Sequence, residues 1–167
     1  MYRQPSEISI MEASLTVSTH FSAAHRLARP DLDYDTNCGI YGKCARPHGH
    51  GHNYHLDVTV RGKIDARTGM VVELGTLHQV LKDVVVEPLD HRFLNKDIPY
   101  FAKVVPTAEN IAIYIRHRLL EPLQGLGVDL EKVKLYESPN NSCEVYATDS
   151  TSPVSSETTV KPKLILV

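Results

Sequence analysis

The residues with the clearest capacity for chemistry are histidines. His50 and His52 lie two apart inside the segment GHGHNY at 49–54. In an extended chain alternate side chains share a face, so both imidazoles can approach one ion. His25 ends the segment FSAAH at 21–25 and is the candidate third ligand if its strand lies beside theirs. Three nitrogens plus an open position is the ligand set of catalytic zinc. His48 stands at the same spacing from His50, so a His48/His50 frame competes with His50/His52. Cys44 precedes His50 by six residues. It fits a fourth ligand, which would close the site, or a thiolate acting as nucleophile or base. Asp90 and His91 adjoin; such a pair can orient and charge an imidazole that assists a thiol. Glu137 shares its parity with Val133 and Leu135, and an inward carboxylate needs a partner, such as the edge of a guanidine-like ligand. Cys38 and Cys143 read as inert thiols, since three cysteines do not form a disulfide framework.

These side chains need elements to hold them. Residues 15–25 alternate loosely and predict a strand ending near His25. Residues 28–50 are rich in Gly, Pro, Asp and Asn and read as one long connection. From 50 to 61 the alternation is strict: His50, His52, Tyr54, Leu56, Val58 and Val60 occupy one parity. Turn residues Asp65, Thr68 and Gly69 suggest a hairpin into 70–72. Leu74, Leu77, Leu81 and Val84, with Val80 beside them, give a helical stripe that Glu87 and Pro88 should end. Thr107 is a plausible N-cap for a second helix carrying Ile111, Ile115, Leu119 and Leu120, closed by Pro122 and Gly125. Glu109 in its first turn suits the helix dipole. Strands at 133–137 and 143–146 complete the set. The order ββ-αα-ββ predicts an α+β fold, a four-stranded antiparallel sheet backed by two helices. One sheet face and two edges stay uncovered, and joining edges between subunits would satisfy them.

The chain has 167 residues, which suits one domain, expected over 11–147. Residues 1–10 read as a flexible arm. The Ser/Thr/Pro-rich stretch 148–167 reads as a tail whose apolar end, 164–167, could dock on a partner. Eighteen basic and twenty acidic residues leave −2, with no Lys/Arg block, which argues against a nucleic-acid partner. No apolar run reaches the ~18 residues of a membrane span. The first twenty residues lack the hydrophobic segment of a signal peptide, so a cytoplasmic location is expected.

Six separated motifs in order carry a family resemblance: FSAAH at 21–25, GKC at 42–44, GHGHNY at 49–54, LDH at 89–91, PTAEN at 106–110 and YESPNN at 136–141. Together they resemble the 6-pyruvoyl-tetrahydropterin synthase family, which includes the queuosine-pathway 6-carboxytetrahydropterin synthases. The resemblance implies zinc on His25, His50 and His52. It makes Cys44 the general base with Asp90 and His91 as relay partners. Glu137 becomes the pterin anchor, and Thr107 and Glu109 further pocket residues. It implies the tunnelling fold, in which trimeric barrels stack into homohexamers with sites at subunit interfaces. The implied reaction converts 7,8-dihydroneopterin triphosphate to 6-pyruvoyl-tetrahydropterin, with triphosphate elimination and internal redox. Lys43, Arg46 or Arg92 would meet the triphosphate. The carboxy-type alternative would release acetaldehyde and triphosphate, and a third reading is a metal- or pterin-binding protein without turnover. The Cys44-to-His50 spacing and YESPNN look like the pyruvoyl type. Carboxy-type members more often place cysteine four residues before the first zinc histidine, a spacing that Cys44 and His48 also have. Glu73 stands where relatives often show Asp.

Overall fold

Strict alternation produces the strand at the centre of the fold. β2 (His50–Lys63) buries Tyr54, Leu56, Val58 and Val60 and turns Asn53, His55 and Arg61 outward. This computed structural model describes residues 11–147, so the expected arm (1–10) and tail (148–167) lie outside the described residues. β1 (Glu12–His25) pairs antiparallel with β2 along its whole length, from Glu12 opposite Lys63 to His25 opposite His50. This register stacks Phe21 on Tyr54 with ring centroids 5.0 Å apart.

Between these strands, residues 28–50 are not one loop. They contain α1 (Tyr34–Tyr41) and a 3₁₀ turn over Gly42–Ala45. Asp33 caps α1 by accepting from the Thr36 N–H at 2.7 Å. The buried Asn37 amide donates to the carbonyls of Arg29, Leu32 and Asp33 at 2.9–3.0 Å. Polar anchoring thus replaces the apolar stripe that would have announced a helix.

The hairpin expected into 70–72 does not form. The turn closes on itself, with the Asp65 N–H donating to the Met70 carbonyl at 2.9 Å. Val71 and Val72 then pack against the core as irregular chain. α2 (Leu74–Leu81) follows, capped by the Glu73 carboxylate on the N–H groups of Gly75 and Thr76 at 2.8 and 2.6 Å. Glu87 and Pro88 do not end this helix. The chain widens through a π-type turn over Lys82–Val86 and continues as α3 (Glu87–Leu89), the Glu87 N–H donating to the Lys82 carbonyl five residues back. A widened turn moves carbonyls away from where the Pro88 ring would strike them. Leu77, Leu81, Val85 and Leu89 then form the buried line, while Leu74 stays exposed.

After α3 the chain adds a fifth strand, β3 (Arg92–Phe93), parallel to β1 beside Ala23 and Ala24. α4 (Leu94–Asp97) and a 3₁₀ turn over Pro99–Ala102 lead to α5 (Ala108–Gly125), which starts at the Thr107 cap as expected and runs through Pro122. β4 (Asp129–Ser138) and β5 (Asn141–Tyr146) finish the sheet, whose order is β3-β1-β2-β4-β5. The four long strands are antiparallel, as expected.

Helices cover one face only. Leu77, Leu81, Ile111, Ile115 and Leu119 meet Leu56, Val58, Val133 and Leu135 in one core. Each such side chain contributes about 1.5–3 kcal/mol by leaving water. The opposite face is a polar ladder: Thr16 to Thr59 at 2.9 Å, Ser18 to Asp57 at 2.6 Å and Ser22 to Asn53 at 2.7 Å.

Candidate metal centre and active site

The β1/β2 register builds the centre. It sets His25 directly opposite His50 and leaves His52 one alternation further along the same, helix-facing side. One ring nitrogen from each lies within 4.8 Å of the others. The Nε2 atoms of His25 and His50 are 3.0 Å apart. His48 is exposed and outside the cluster, so the His50/His52 frame is the one that forms.

His25 is fully buried, and its Nδ1 lies 2.7 Å from the carbonyl of Pro106. A carbonyl can only accept, so Nδ1 carries the proton and Nε2 presents a lone pair to its neighbours. The Tyr54 hydroxyl stands 3.3 Å from the same Nδ1. Burial holds the His25 pKa down to about 4, against the raising effect of the Pro106 bond; His50 and His52 lower it further. Burial likewise lowers the His50 pKa. His52 Nε2 is buried with no hydrogen-bond partner among the described residues. Buried polar atoms rarely go unpaired. Clustered imidazoles, one locked with its lone pair facing in and another with a lone buried nitrogen, fit a divalent cation of the zinc type.

Glu137 adjoins this cluster. Its Oε1 lies 3.7 Å from His25 Nε2 and 3.8 Å from His52 Nε2. It sits just past Tyr136, the last β4 residue paired with β2. The inward parity read from sequence holds, but its nearest partners are two histidines rather than an arginine or lysine.

Cys44 is half-buried on the 3₁₀ turn and is not among the clustered ligands, so the closed four-ligand site is not formed. Two bonds tie its turn to the chain just after His25: Leu27 N–H to the Cys44 carbonyl at 2.9 Å, and Arg26 Nε to the Ala45 carbonyl at 2.8 Å. Gly49 closes the approach from the other side. Its φ is +67°, and a Cβ there would sit 2.6 Å from the His25 carbonyl oxygen and 3.0 Å from the Phe93 ring. Only glycine fits.

Adjacent side chains such as Asp90 and His91 diverge unless the backbone folds back, and here it does. His91 takes φ of 56°, its Nδ1 lies 2.7 Å from Asp90 Oδ2, and its N–H donates to the Ser22 carbonyl at 2.6 Å. The Ser22 N–H donates to Asp90 Oδ1 at 2.7 Å. That N–H, and then His91, hold the Asp90 carboxyl below the usual carboxylate range. The His91 ring is 83% exposed and faces a groove of about 480 Å³ that also borders Ala24, Gly51 and Asn53. No hydrogen bond joins His91 to Cys44 among the described residues.

Thr107 accepts from the Asn110 N–H at 3.3 Å as the cap of α5 and follows Pro106, which holds His25. Glu109 is exposed on the first turn of α5. Neither touches the histidines in the described contacts. Burial raises the Cys143 thiol to about 11, with the Glu109 and Glu137 carboxylates adding to the effect, which matches its inert reading. Sequence reasoning missed Tyr54 and Pro106 as supports of His25. The parity of Tyr54 with His50 and His52 was a usable signal, whereas nothing local marks Pro106.

Comparison with known proteins matches this arrangement. The model of the 6-pyruvoyl tetrahydropterin synthase family matches residues 14–148. A 6-pyruvoyl tetrahydrobiopterin synthase of Pongo abelii is 48% identical over 130 residues, covering 78% of this chain and 88% of that protein. The solved 6-pyruvoyl tetrahydropterin synthase of Caenorhabditis elegans superposes with a TM-score of 0.77 at 35% identity, covering 89% of this chain and all of that one. A 6-carboxy-5,6,7,8-tetrahydropterin synthase of Rickettsia bellii is more distant, 30% identical over 141 residues, covering 75% of this chain and 94% of that protein. The fold and the histidine centre define a tunnelling-fold synthase. The chain belongs to the 6-pyruvoyl tetrahydropterin synthase family.

Proposed function

We propose that this protein is a zinc-dependent lyase of the pyruvoyl type, converting 7,8-dihydroneopterin triphosphate to 6-pyruvoyl-tetrahydropterin. The observation that carries the reading is the convergence of His25, His50 and His52, with one imidazole nitrogen left unpaired, beside the Glu137 carboxylate. The 48% identity to a pyruvoyl-type relative, against 30% to a carboxy-type one, supports the choice of product.

His25, His50 and His52 would hold the zinc. When bound, zinc supplies Lewis-acid polarisation of the substrate's side-chain hydroxyls. Glu137 grips the amino-pyrimidine edge of the pterin, two acceptor oxygens meeting two N–H donors. The Cys44 thiolate removes a side-chain proton, and His91, oriented by Asp90, returns protons. Triphosphate departs with the electron pair of its carbon–oxygen bond. The remaining oxidation of the side chain and reduction of the ring balance within one molecule, so no nicotinamide is consumed. Thr107 and Glu109 serve as further pocket residues.

The exposed His91 suggests that its relay serves a neighbouring chain's Cys44. β3 covers β1 only at Ala23 and Ala24 and the Asp90–His91 segment engages Ser22, which leaves residues 12–21 of that edge unpaired among the described residues. Edge-to-edge joining into trimeric barrels, stacked as homohexamers, would occupy it. No helix among the described residues is long and apolar enough to cross a membrane. We place the enzyme in the cytoplasm.

The test is to incubate pure zinc-loaded protein with 7,8-dihydroneopterin triphosphate and identify the products. The pyruvoyl product with free triphosphate is expected. Acetaldehyde without any pyruvoyl product would overturn the reading. Cys44→Ala should keep its zinc while losing about 10²–10⁴-fold in turnover.

A further inference from the structure

We propose that the cavity beyond the His25 end of β1 is a seat for a chain of phosphates. It encloses about 350 Å³, and its cationic lining residues are Arg26, Arg29, Lys96 and Lys103, with no carboxylate side chain among the lining residues. Four of the eighteen basic residues thus gather in one concavity of a chain whose net charge is −2. Such a concentration runs against the overall balance and favours a compact polyanion.

The individual cations are not equivalent. Arg29 is held by Asp31, with Nη2 to Oδ2 at 2.6 Å in an exposed pair, so part of its charge is already answered. Arg26 donates its Nε to the Ala45 carbonyl, which aims the guanidinium and leaves its Nη groups available. Its backbone is braced from both sides: Arg26 N–H to Asn95 Oδ1 at 2.8 Å, and Asn95 Nδ2 to the Arg26 carbonyl at 3.0 Å. That brace fixes the neighbouring Lys96 relative to Arg26. Lys96 Nζ lies 4.9 Å over the Phe93 ring, and Lys103 follows the 3₁₀ turn opposite. Apolar walls from Leu32, Phe101 and Val104 lower the local dielectric and strengthen each charge-assisted contact.

The location ties this seat to the metal centre. Arg26 follows His25 directly, and Val105 directly precedes Pro106, whose carbonyl holds the His25 ring. A ligand anchored at the histidines could extend its phosphates into this space. None of Lys43, Arg46 or Arg92, the residues expected from sequence to meet the triphosphate, lines the cavity. The assignment of the phosphates to the substrate rests on the function proposed above, whereas the seat itself does not.

Calorimetric titration with inorganic tripolyphosphate, on zinc-loaded protein at fixed free zinc, tests it. Lys96→Ala/Lys103→Ala should weaken binding by about a hundredfold, since each lost charge-assisted hydrogen bond accounts for roughly tenfold. Lys63→Ala removes the same charge from the exposed far end of β2 and should change nothing. The Gln double variant, Lys96→Gln/Lys103→Gln, keeps a polar side chain without the charge and should reproduce the loss. Competitive inhibition by tripolyphosphate, together with a raised KM in the double variant, identifies the substrate's own triphosphate as the occupant. Inhibition independent of substrate concentration identifies a free polyphosphate at the same seat. Unchanged affinity in both double variants overturns the seat. Absence of lyase activity with tripolyphosphate binding intact would overturn the function and leave the seat standing.

Discussion

Acidifying the metal-free protein should destabilise it through His25. The buried imidazole has its pKa lowered from 6.5 to about 4, chiefly because the interior disfavours its charged form. Below pH 6.5 the unfolded chain takes up a proton that the folded chain refuses, so stability falls with falling pH. The loss runs from pH 6.5 down to about 4, where the folded state accepts the proton too. A depression from 6.5 to about 4 at 1.36 kcal/mol per unit amounts to about 3 kcal/mol. The comparison variant is His25→Asn, which keeps an N–H donor for the Pro106 carbonyl but cannot titrate. Urea unfolding of both proteins, stripped with chelator and followed by circular dichroism at steps from pH 7 to 4, gives the two stability profiles. The gap between them should shrink by about 3 kcal/mol across that window. Profiles that stay parallel would refute the claim that His25 is held neutral by burial, and with it the tautomer that turns Nε2 toward the centre.

Three further outcomes follow from the geometry. Gly49→Ala should lower stability by about 2 kcal/mol or more and weaken zinc binding, because its φ of +67° and the His25 carbonyl 2.6 Å away leave no room for a Cβ; thermal unfolding and competitive zinc titration check both. Thr107→Ala should cost about 1 kcal/mol by removing the α5 cap, measured as a shifted urea midpoint with zinc content unchanged. Asp90→Asn should retain zinc and lower kcat, since the amide no longer holds the His91 ring 2.7 Å away through a charge-assisted bond; an unchanged kcat would confine Asp90 to bracing Ser22.

Sequence patterning revealed the parts of the fold whose apolar residues recur with one period. β2 and the stripe of α5 are of that kind, and both were expected nearly to their ends. The metal centre was legible for a related reason: a period-two strand leaves little choice about where His50 and His52 point. What escaped depends on partners distant in sequence. α1 is held by Asp33 and by the Asn37 amide, and its own residues carry no stripe. β3 is two residues long and exists because β1 lies beside it. Val71 and Val72 have strand-forming side chains, yet the Asp65 turn claims their approach and the core takes them as irregular chain. The closeness of Glu137 to the histidines joins residues more than eighty apart, and only the β2/β4 register brings them together.

The π-type turn over Lys82–Val86 acts as a phase setting. One residue on a helix is worth about 100° of rotation. Winding the same residues into a regular α-helix would swing everything downstream around the axis by about that angle. Asp90 would then face away from the Ser22 amide that now receives it at 2.7 Å, and the imidazole beside it would lose its bearing on the sheet edge. Aiming the Asp90–His91 pair in this chain thus depends on one surplus residue in a helix whose residues belong neither to the histidine cluster nor to the lining of the cavity of basic residues.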